Sequence, residues 1–139
     1  MKTKITVLAI FSVLLVFVLS SFTPQLEGQK LGGPWNVPDT YKAKTNSFSS
    51  DKSLVNVGKM LYSKHCRSCH GNVGLGDGPK ARGLKTFPGK FDDAKFQAHS
   101  DGELYYMSIV GRDEMPNFES KIPEEEDRWA LIMYLRTLK

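Results

Sequence analysis

The sequence predicts a small, mainly helical domain of the all-α class behind an N-terminal extension. Apolar residues recur at three- and four-residue spacing in residues 53–66, and a capping box opens residues 100–110. Residues 123–135 begin with proline and acidic residues, which suit the first turn of a helix. Glycine and proline interrupt the stretches between these helices. With 139 residues, the chain has room for one domain and its extension.

Residues 1–20 predict export from the cytoplasm. Lys2 and Lys4 precede an apolar run from Ile5 to Leu19, which is the pattern of a secretory signal peptide cut after Ser20. The apolar run can be extended to Phe22, about 18 residues, the lower limit for a membrane span. A membrane anchor through residues 5–22 is therefore the alternative. Both interpretations place the rest of the chain in the periplasm or on the outer face of the cytoplasmic membrane.

Residues 21–52 predict an extended arm or linker. Two glycines and two prolines interrupt residues 32–38, so no regular element is expected there. Trp35 and Tyr41 are large apolar groups in an otherwise polar stretch. We expect them to attach the arm to the surface of the domain, with docking of a partner as the alternative.

The first predicted helix spans residues 53–66, with Ser53 as its cap. Gly58 lies on its apolar face, where glycine costs about 1 kcal/mol relative to alanine. Close approach of a second helix would explain a glycine there. The apolar face comprises Leu54, Val57, Gly58, Leu61 and His65.

The helix leads into Cys66-Arg67-Ser68-Cys69-His70, which contains both cysteines of the chain. Two cysteines separated by two residues and followed by histidine form the attachment signal for a c-type haem. Each thiol bonds to one vinyl group of the porphyrin, and the imidazole binds the iron. The motif predicts one haem c attached covalently through Cys66 and Cys69, with His70 as the proximal ligand.

The cysteine pair has two other possible roles, a zinc site and a redox-active disulfide. A zinc site would need two further ligands, and His65, His70 and His99 lack the usual spacing for them. A redox-active disulfide usually follows a strand within a βαβ pattern, and the sequence shows neither. The haem interpretation is favoured over both.

The segments after the motif predict loops around the haem and a second short helix. Four glycines fall within residues 71–78, so residues 71–79 are expected to form a loop that follows the haem edge closely. Phe91 and Phe96 are expected to pack on the haem or on the core. Ser100 and Glu103 form the capping box of a helix through Val110.

Met115 is the candidate for the second axial ligand. Pro116 biases Met115 away from helical geometry, which places an apolar thioether in a polar loop. The other methionines beyond the leader occupy positions that suit helical packing: Met60, Met107 and Met133. His99 is the rival ligand, although it also fits as a solvated residue before a helix cap.

From Ser53 to Lys139 the chain resembles the class I c-type cytochromes. The matching features are Gly58 and Tyr62, Cys66-x-x-Cys69-His70-Gly71, Gly78-Pro79, Met115-Pro116, and the final helix with Trp129 and Tyr134-Leu135-Arg136. The resemblance implies a small cytochrome c fold, with three main helices around one covalently bound haem and the first and last helices crossing near Gly58. It also implies that the Pro79 carbonyl accepts a hydrogen bond from the His70 ring. The chain is similar, too, to cytochromes that serve as subunits or fused domains of larger respiratory complexes.

These observations predict a single-electron carrier or electron-transfer subunit of a respiratory chain, not an enzyme. With both axial positions of the iron filled by protein, no site remains for a substrate. The alternative is a haem-based sensor in which a small molecule displaces Met115. Redox proteins are the expected partners. The formal charge of +4 falls to about +2 without Lys2 and Lys4, and nothing indicates nucleic-acid binding. Basic residues near the motif are candidates for steering an acidic partner, or are ordinary solvated surface: Lys64, Arg67, Lys80, Arg82 and Lys85.

Overall fold

A computed structural model describes residues 28–139 of the chain. The predicted signal peptide or anchor in residues 1–22, and the first residues of the predicted arm, lie outside the described residues. Among residues 28–139, no helix combines the length and apolar character that crossing a membrane requires.

Within the described part, the chain forms six α-helices and no β-strand apart from two isolated bridges. This confirms the prediction of an all-α domain. The helices are α1 (Asp39–Lys42), α2 (Leu54–His65), α3 (Arg67–His70), α4 (Ala94–Gln97), α5 (Asp101–Tyr105) and α6 (Glu125–Leu135), with a 3₁₀ turn at Ala81–Gly83 and a π-helical segment at Tyr106–Val110.

The two longest helices, α2 and α6, cross at Gly58, as expected. A side chain at Gly58 would collide with the backbone carbonyl of Ala130 and would approach Tyr134 Cβ to 2.8 Å. The glycine therefore allows the two backbones to touch. One face of α2 is buried here and α6 is buried nearly all round, through Trp129, Ala130, Leu131, Ile132 and Leu135.

The helix starts agree only in part with the sequence signals. Ser53 makes no capping bond to α2; instead its backbone N–H and its hydroxyl both donate to Asp51 Oδ1, at 2.9 and 2.6 Å. The prediction that Ser53 caps this helix is therefore wrong, because the N–H groups that a cap would accept, those of Val55 and Asn56, donate to the backbone carbonyls of Lys52 and Ser53 instead. The last helix begins at Glu125, two residues after the proline that was expected to open it.

The capping box of α5 is formed as predicted. The Glu103 N–H donates to Ser100 Oγ at 3.2 Å, and the Ser100 N–H donates to Glu103 Oε2 at 2.7 Å. The helix continues as the π-helical segment, which the sequence pattern did not indicate, and ends at Gly111 with a φ of 72°.

The described part of the arm, residues 28–52, packs against the domain. Val37 is buried, and the Tyr41 ring lies 4.8 Å from the ring of Tyr106. Carbonyl oxygens of Tyr41 and Lys44 approach α5 so closely that a side chain at Gly102 would collide with them. The arm contains one short helix, α1, in a stretch for which the sequence predicted an extended chain.

Candidate haem site

The two cysteines lie on one helical turn at the end of α2. The Cys66 N–H donates to the Tyr62 carbonyl at 2.9 Å, which continues α2, and the Cys66 carbonyl then accepts the His70 N–H at 3.0 Å. Cys69 lies within the single turn of α3, and His70 is its last residue. Both cysteines are free thiols. Two sulfurs one turn apart, followed directly by an imidazole, form the arrangement that haem attachment requires.

The His70 imidazole is buried among apolar groups. The residue is 8% exposed, and its Nδ1 atom has no hydrogen-bond partner within residues 28–139. Burial lowers the pKa of His70 to about 4, so the ring is neutral at physiological pH and able to bind a metal. An unpartnered buried nitrogen costs about 1–3 kcal/mol. A buried neutral imidazole beside two free thiols fits the donor set of haem c.

The loop after the motif folds back onto it. The Gly78 N–H donates to the Cys69 carbonyl at 3.2 Å, and the Lys80 N–H donates to the Ser68 carbonyl at 2.8 Å. Pro79 lies between these two bonds and is thereby held beside the motif. The hydrogen bond expected from the His70 ring to the Pro79 carbonyl is not formed through Nδ1 in this structure.

Phe91 supports the ring of His70. The two rings stack with centroids 4.6 Å apart at an interplanar angle of 28°. The Phe91 N–H donates to the Gly74 carbonyl at 2.8 Å, and its ring would collide with any side chain at Gly74. The ring of Phe96 stacks on the ring of Phe91, with the two centroids 4.5 Å apart. The expectation that both phenylalanines pack near the haem motif or the core is confirmed.

Tyr62 connects the helical core to the first residue after the motif. Its hydroxyl donates to the Gly71 carbonyl at 2.7 Å in a buried position, and its ring is 2% exposed. Gly71 has a φ of 82°, a backbone conformation that favours glycine. The Tyr62 hydrogen bond therefore fixes the first residue of the loop, Gly71, to helix α2.

Met115 lies in a loop, as predicted, and is half-buried against the hydrophobic core. Its N–H donates to the Arg112 carbonyl at 2.8 Å, so the loop closes tightly after Gly111. The neighbouring Glu114 accepts backbone N–H groups from Lys85 and Thr86. The role of Met115 as an iron ligand stays a prediction.

The other histidines have different surroundings. His99 Nδ1 lies 3.6 Å from Glu103 Oε2, and the His99 carbonyl accepts a bond from Arg136. The ring of His65 packs edge-on against Phe118, with centroids 5.8 Å apart. Within residues 28–139, no three histidine, cysteine or acidic side chains are grouped so that they could hold a metal ion. The zinc interpretation therefore has no ligand set in this part of the chain.

The redox interpretation of the cysteine pair also loses support. Burial raises the pKa of Cys66 to about 12, whereas redox-active cysteines have a lowered pKa that favours the thiolate. A helix, and not a strand, leads into the motif.

Comparison with known protein families identifies the domain. A family model described as cytochrome c oxidase, cbb3-type, subunit III matches residues 53–135, which is more than half of the chain. The chain belongs to this family, and its domain is a class I c-type cytochrome. No curated protein matches the chain. A c-type cytochrome domain implies haem c, and the CxxC spacing of Cys66 and Cys69 agrees with it.

The sequence analysis missed two side chains of this cytochrome that lie beside Met115. Arg112 and Glu114 contact other segments of the chain through hydrogen bonds. The only signal in the sequence was the charged run that they form with Asp113 directly before the methionine.

Proposed function

We propose that this cytochrome transfers single electrons between redox proteins outside the cytoplasm, as a carrier or as a subunit of a respiratory complex. Cys66 and Cys69 would hold haem c covalently, and His70 and Met115 would bind its iron. The observation that carries this proposal is the buried imidazole of His70 beside two free thiols on one turn. Membership in a c-type cytochrome family supports the same conclusion.

The bound haem supplies a one-electron change at its iron. The residues around it set the conditions for that change. Met115 offers a soft, neutral thioether, which favours ferrous iron and raises the reduction potential. Phe91 stacks on the buried His70 ring and keeps water from the imidazole side, and burial would raise the potential further. With His70 and Met115 both holding the iron, the group would supply one-electron transfer, and the two side chains would leave no position at the iron for a substrate.

The surface around the motif suits an acidic redox partner. Five basic residues near the motif are exposed, and none forms an ion pair with another residue in the described part of the chain. Such a cluster raises the rate of encounter with a negatively charged protein. These residues are Lys64, Arg67, Lys80, Arg82 and Lys85. The apolar leader in the sequence supports a site of action in the periplasm or on the outer face of the membrane, and the description of the matched family supports a respiratory partner.

The axial ligands are tested by the optical spectrum and the reduction potential of the haem-loaded full chain. Met115→Ala should remove the far-red band of thioether-ligated ferric iron and lower the potential, because the soft ligand is gone. Met60→Ala is the matched control, since Met60 is 65% exposed on α2 and should leave both readings unchanged. A Met115→Ala protein that keeps the wild-type band and potential would show that Met115 is not the ligand.

Covalent attachment is tested separately by denaturing electrophoresis followed by haem staining. The wild-type chain should keep its haem after denaturation, because thioether bonds survive unfolding. A Cys66→Ser, Cys69→Ser double variant should lose the stain. Loss of haem from the denatured wild-type chain would contradict the proposed attachment.

A further inference from the structure

Arg112 connects the Met115 loop to the N-terminal arm. Its carbonyl accepts the Met115 N–H, while its guanidinium lies over the ring of Trp35 at 4.1 Å from the centroid. The same guanidinium donates to the Pro34 carbonyl at 2.6 Å and to the Gly33 carbonyl. One residue therefore binds Met115 through its backbone and the arm through its side chain.

Glu114 connects the Met115 loop to a second segment. Its two carboxylate oxygens accept the N–H groups of Lys85 and Thr86, at 3.0 and 2.9 Å. Hydrogen bonds to a charged acceptor are stronger than neutral ones. Arg112 and Glu114, which precede Met115, thus hold it by bonding to two different segments of the chain.

The second segment is itself bound to the arm. The Lys30 N–H donates to the Lys85 carbonyl at 3.2 Å, and the Phe87 N–H donates to the Lys30 carbonyl at 2.9 Å. The Gln29 side chain donates to the Leu84 carbonyl at 2.9 Å. Residues 28–35, 84–87 and 112–115 therefore form a closed ring of contacts, which we call the Met115 junction.

We propose that the arm is a strap that positions Met115 for iron ligation, with Trp35, Arg112 and Glu114 as positioning residues. The inference rests on the proposed role of Met115 as the axial ligand. The strap comes from residues that precede the matched family region 53–135, so it is an addition to the family domain.

Of residues 113–116, Met115 alone packs against the hydrophobic core. Asp113, Glu114 and Pro116 are exposed, and Asp113 has a φ of 50°, a left-handed conformation typical of turns. A loop with few apolar contacts opens more easily than the core. The junction lowers the population of open loops, in which an external ligand can replace the thioether.

The strap is tested by the affinity of the ferric, haem-loaded full chain for imidazole. Arg112→Ala removes the ring contact and the bonds to the arm, and we expect imidazole to bind about tenfold more tightly. Trp35→Ala should strengthen binding about threefold, because it removes the ring contact alone. Trp35→Phe keeps an aromatic ring and should restore most of the wild-type behaviour.

The matched control is a variant at a second contact between the arm and the domain. Lys44 forms an ion pair with Glu125 at 2.6 Å and lies over the ring of Tyr105, away from the junction. Lys44→Ala should therefore leave the imidazole affinity unchanged. Amide hydrogen exchange provides a second measurement: the N–H groups of Lys85 and Thr86 should exchange faster in Trp35→Ala than in Lys44→Ala.

The outcomes separate this inference from the proposed function. If Met115→Ala removes the far-red band while folded Arg112→Ala and Trp35→Ala bind imidazole like the wild type, the strap is overturned and the ligand assignment stands. If Lys44→Ala changes the affinity as much as Trp35→Ala, arm attachment in general is responsible, and the specific role of the junction is overturned. If Met115→Ala keeps the wild-type band, the ligand assignment fails and the strap loses its premise.

Discussion

The crossing of α2 and α6 and the Met115 junction are held by different forces. At the crossing, the two backbones touch at Gly58, and Trp129, Ala130 and Ile132 of α6 are at most 1% exposed. At the junction, Arg112 is half-buried, Glu114 is exposed, and the contacts are mostly hydrogen bonds. Burial of apolar surface is lost only when the core unfolds, whereas exposed hydrogen bonds open locally.

The difference matters because each region holds one candidate axial ligand. The core supports His70 through α2, the Tyr62 hydroxyl and the stacked ring of Phe91. The junction supports Met115 through Arg112 and its neighbours. The histidine side of the proposed haem site is therefore expected to stay in place under conditions that release the methionine side.

The largest effect on stability is expected from Gly58→Val. The new side chain would collide with the Ala130 carbonyl, which cannot move without separating the helices. Overpacking of this kind typically costs about 1–3 kcal/mol of unfolding free energy, measured by urea denaturation.

Gly83→Ala is the matched control for the crossing. A Cβ at Gly83 has no atom within 4 Å, and the residue does not need a left-handed backbone. Its unfolding free energy should stay within about 0.5 kcal/mol of the wild type. Equal stability of the Gly58→Val and Gly83→Ala proteins would mean that the crossing is not tightly packed.

A smaller loss of stability is expected from Tyr62→Phe, which tests the contact between α2 and the residue that follows the haem motif. The change removes the buried hydrogen bond to the Gly71 carbonyl and should lower the unfolding free energy by about 1–2 kcal/mol. Tyr134→Phe is the control, because the Tyr134 hydroxyl makes no hydrogen bond to residues 28–139. If the two variants were equally stable, the Gly71 bond would contribute nothing to the support of the motif.

The smallest effect is expected from Glu103→Gln in the capping box of α5. Hydrogen bonding to the Ser100 N–H lowers the pKa of Glu103 below its ordinary value of 4.5. The folded state therefore gains stability from the carboxylate above that pH and loses it as the pH falls through the lowered pKa. We expect a difference between wild type and variant of about 0.5 kcal/mol at neutral pH.

The pH dependence of the unfolding free energy tests this prediction. The difference in unfolding free energy between wild type and Glu103→Gln should shrink when denaturation is repeated well below pH 4.5. A difference that is constant from neutral to acidic pH would show that the ionised carboxylate does not support the helix.

The sequence could predict the crossing and the motif because their signals are local. A glycine on an apolar helix face, a CxxCH pentapeptide and a capping box each occupy a few adjacent residues. The loop position of Met115 was predicted in the same way, from the proline that follows it. The structure places all of these features where the sequence indicated.

The junction could not be predicted, because its bonds join distant residues and mostly end on backbone atoms. Nothing in Arg112 or Glu114 indicates that Gly33 and Lys85 are their partners. Trp35 was expected to attach the arm, but the sequence did not show where. The cap on α2 was misassigned for a related reason, since the N–H groups of Val55 and Asn56 bond to backbone carbonyls and not to the Ser53 side chain.

The position of the arm determines which face of this cytochrome lies next to a segment or tag attached at its N-terminal end. Residues 28–30 lie at the Met115 junction, at the start of the described part of the chain. Lys139 instead follows Leu138, whose carbonyl is bound by Gln97 of α4. A purification tag added after Lys139 thus avoids the junction, whereas a tag on a processed N-terminus crowds it.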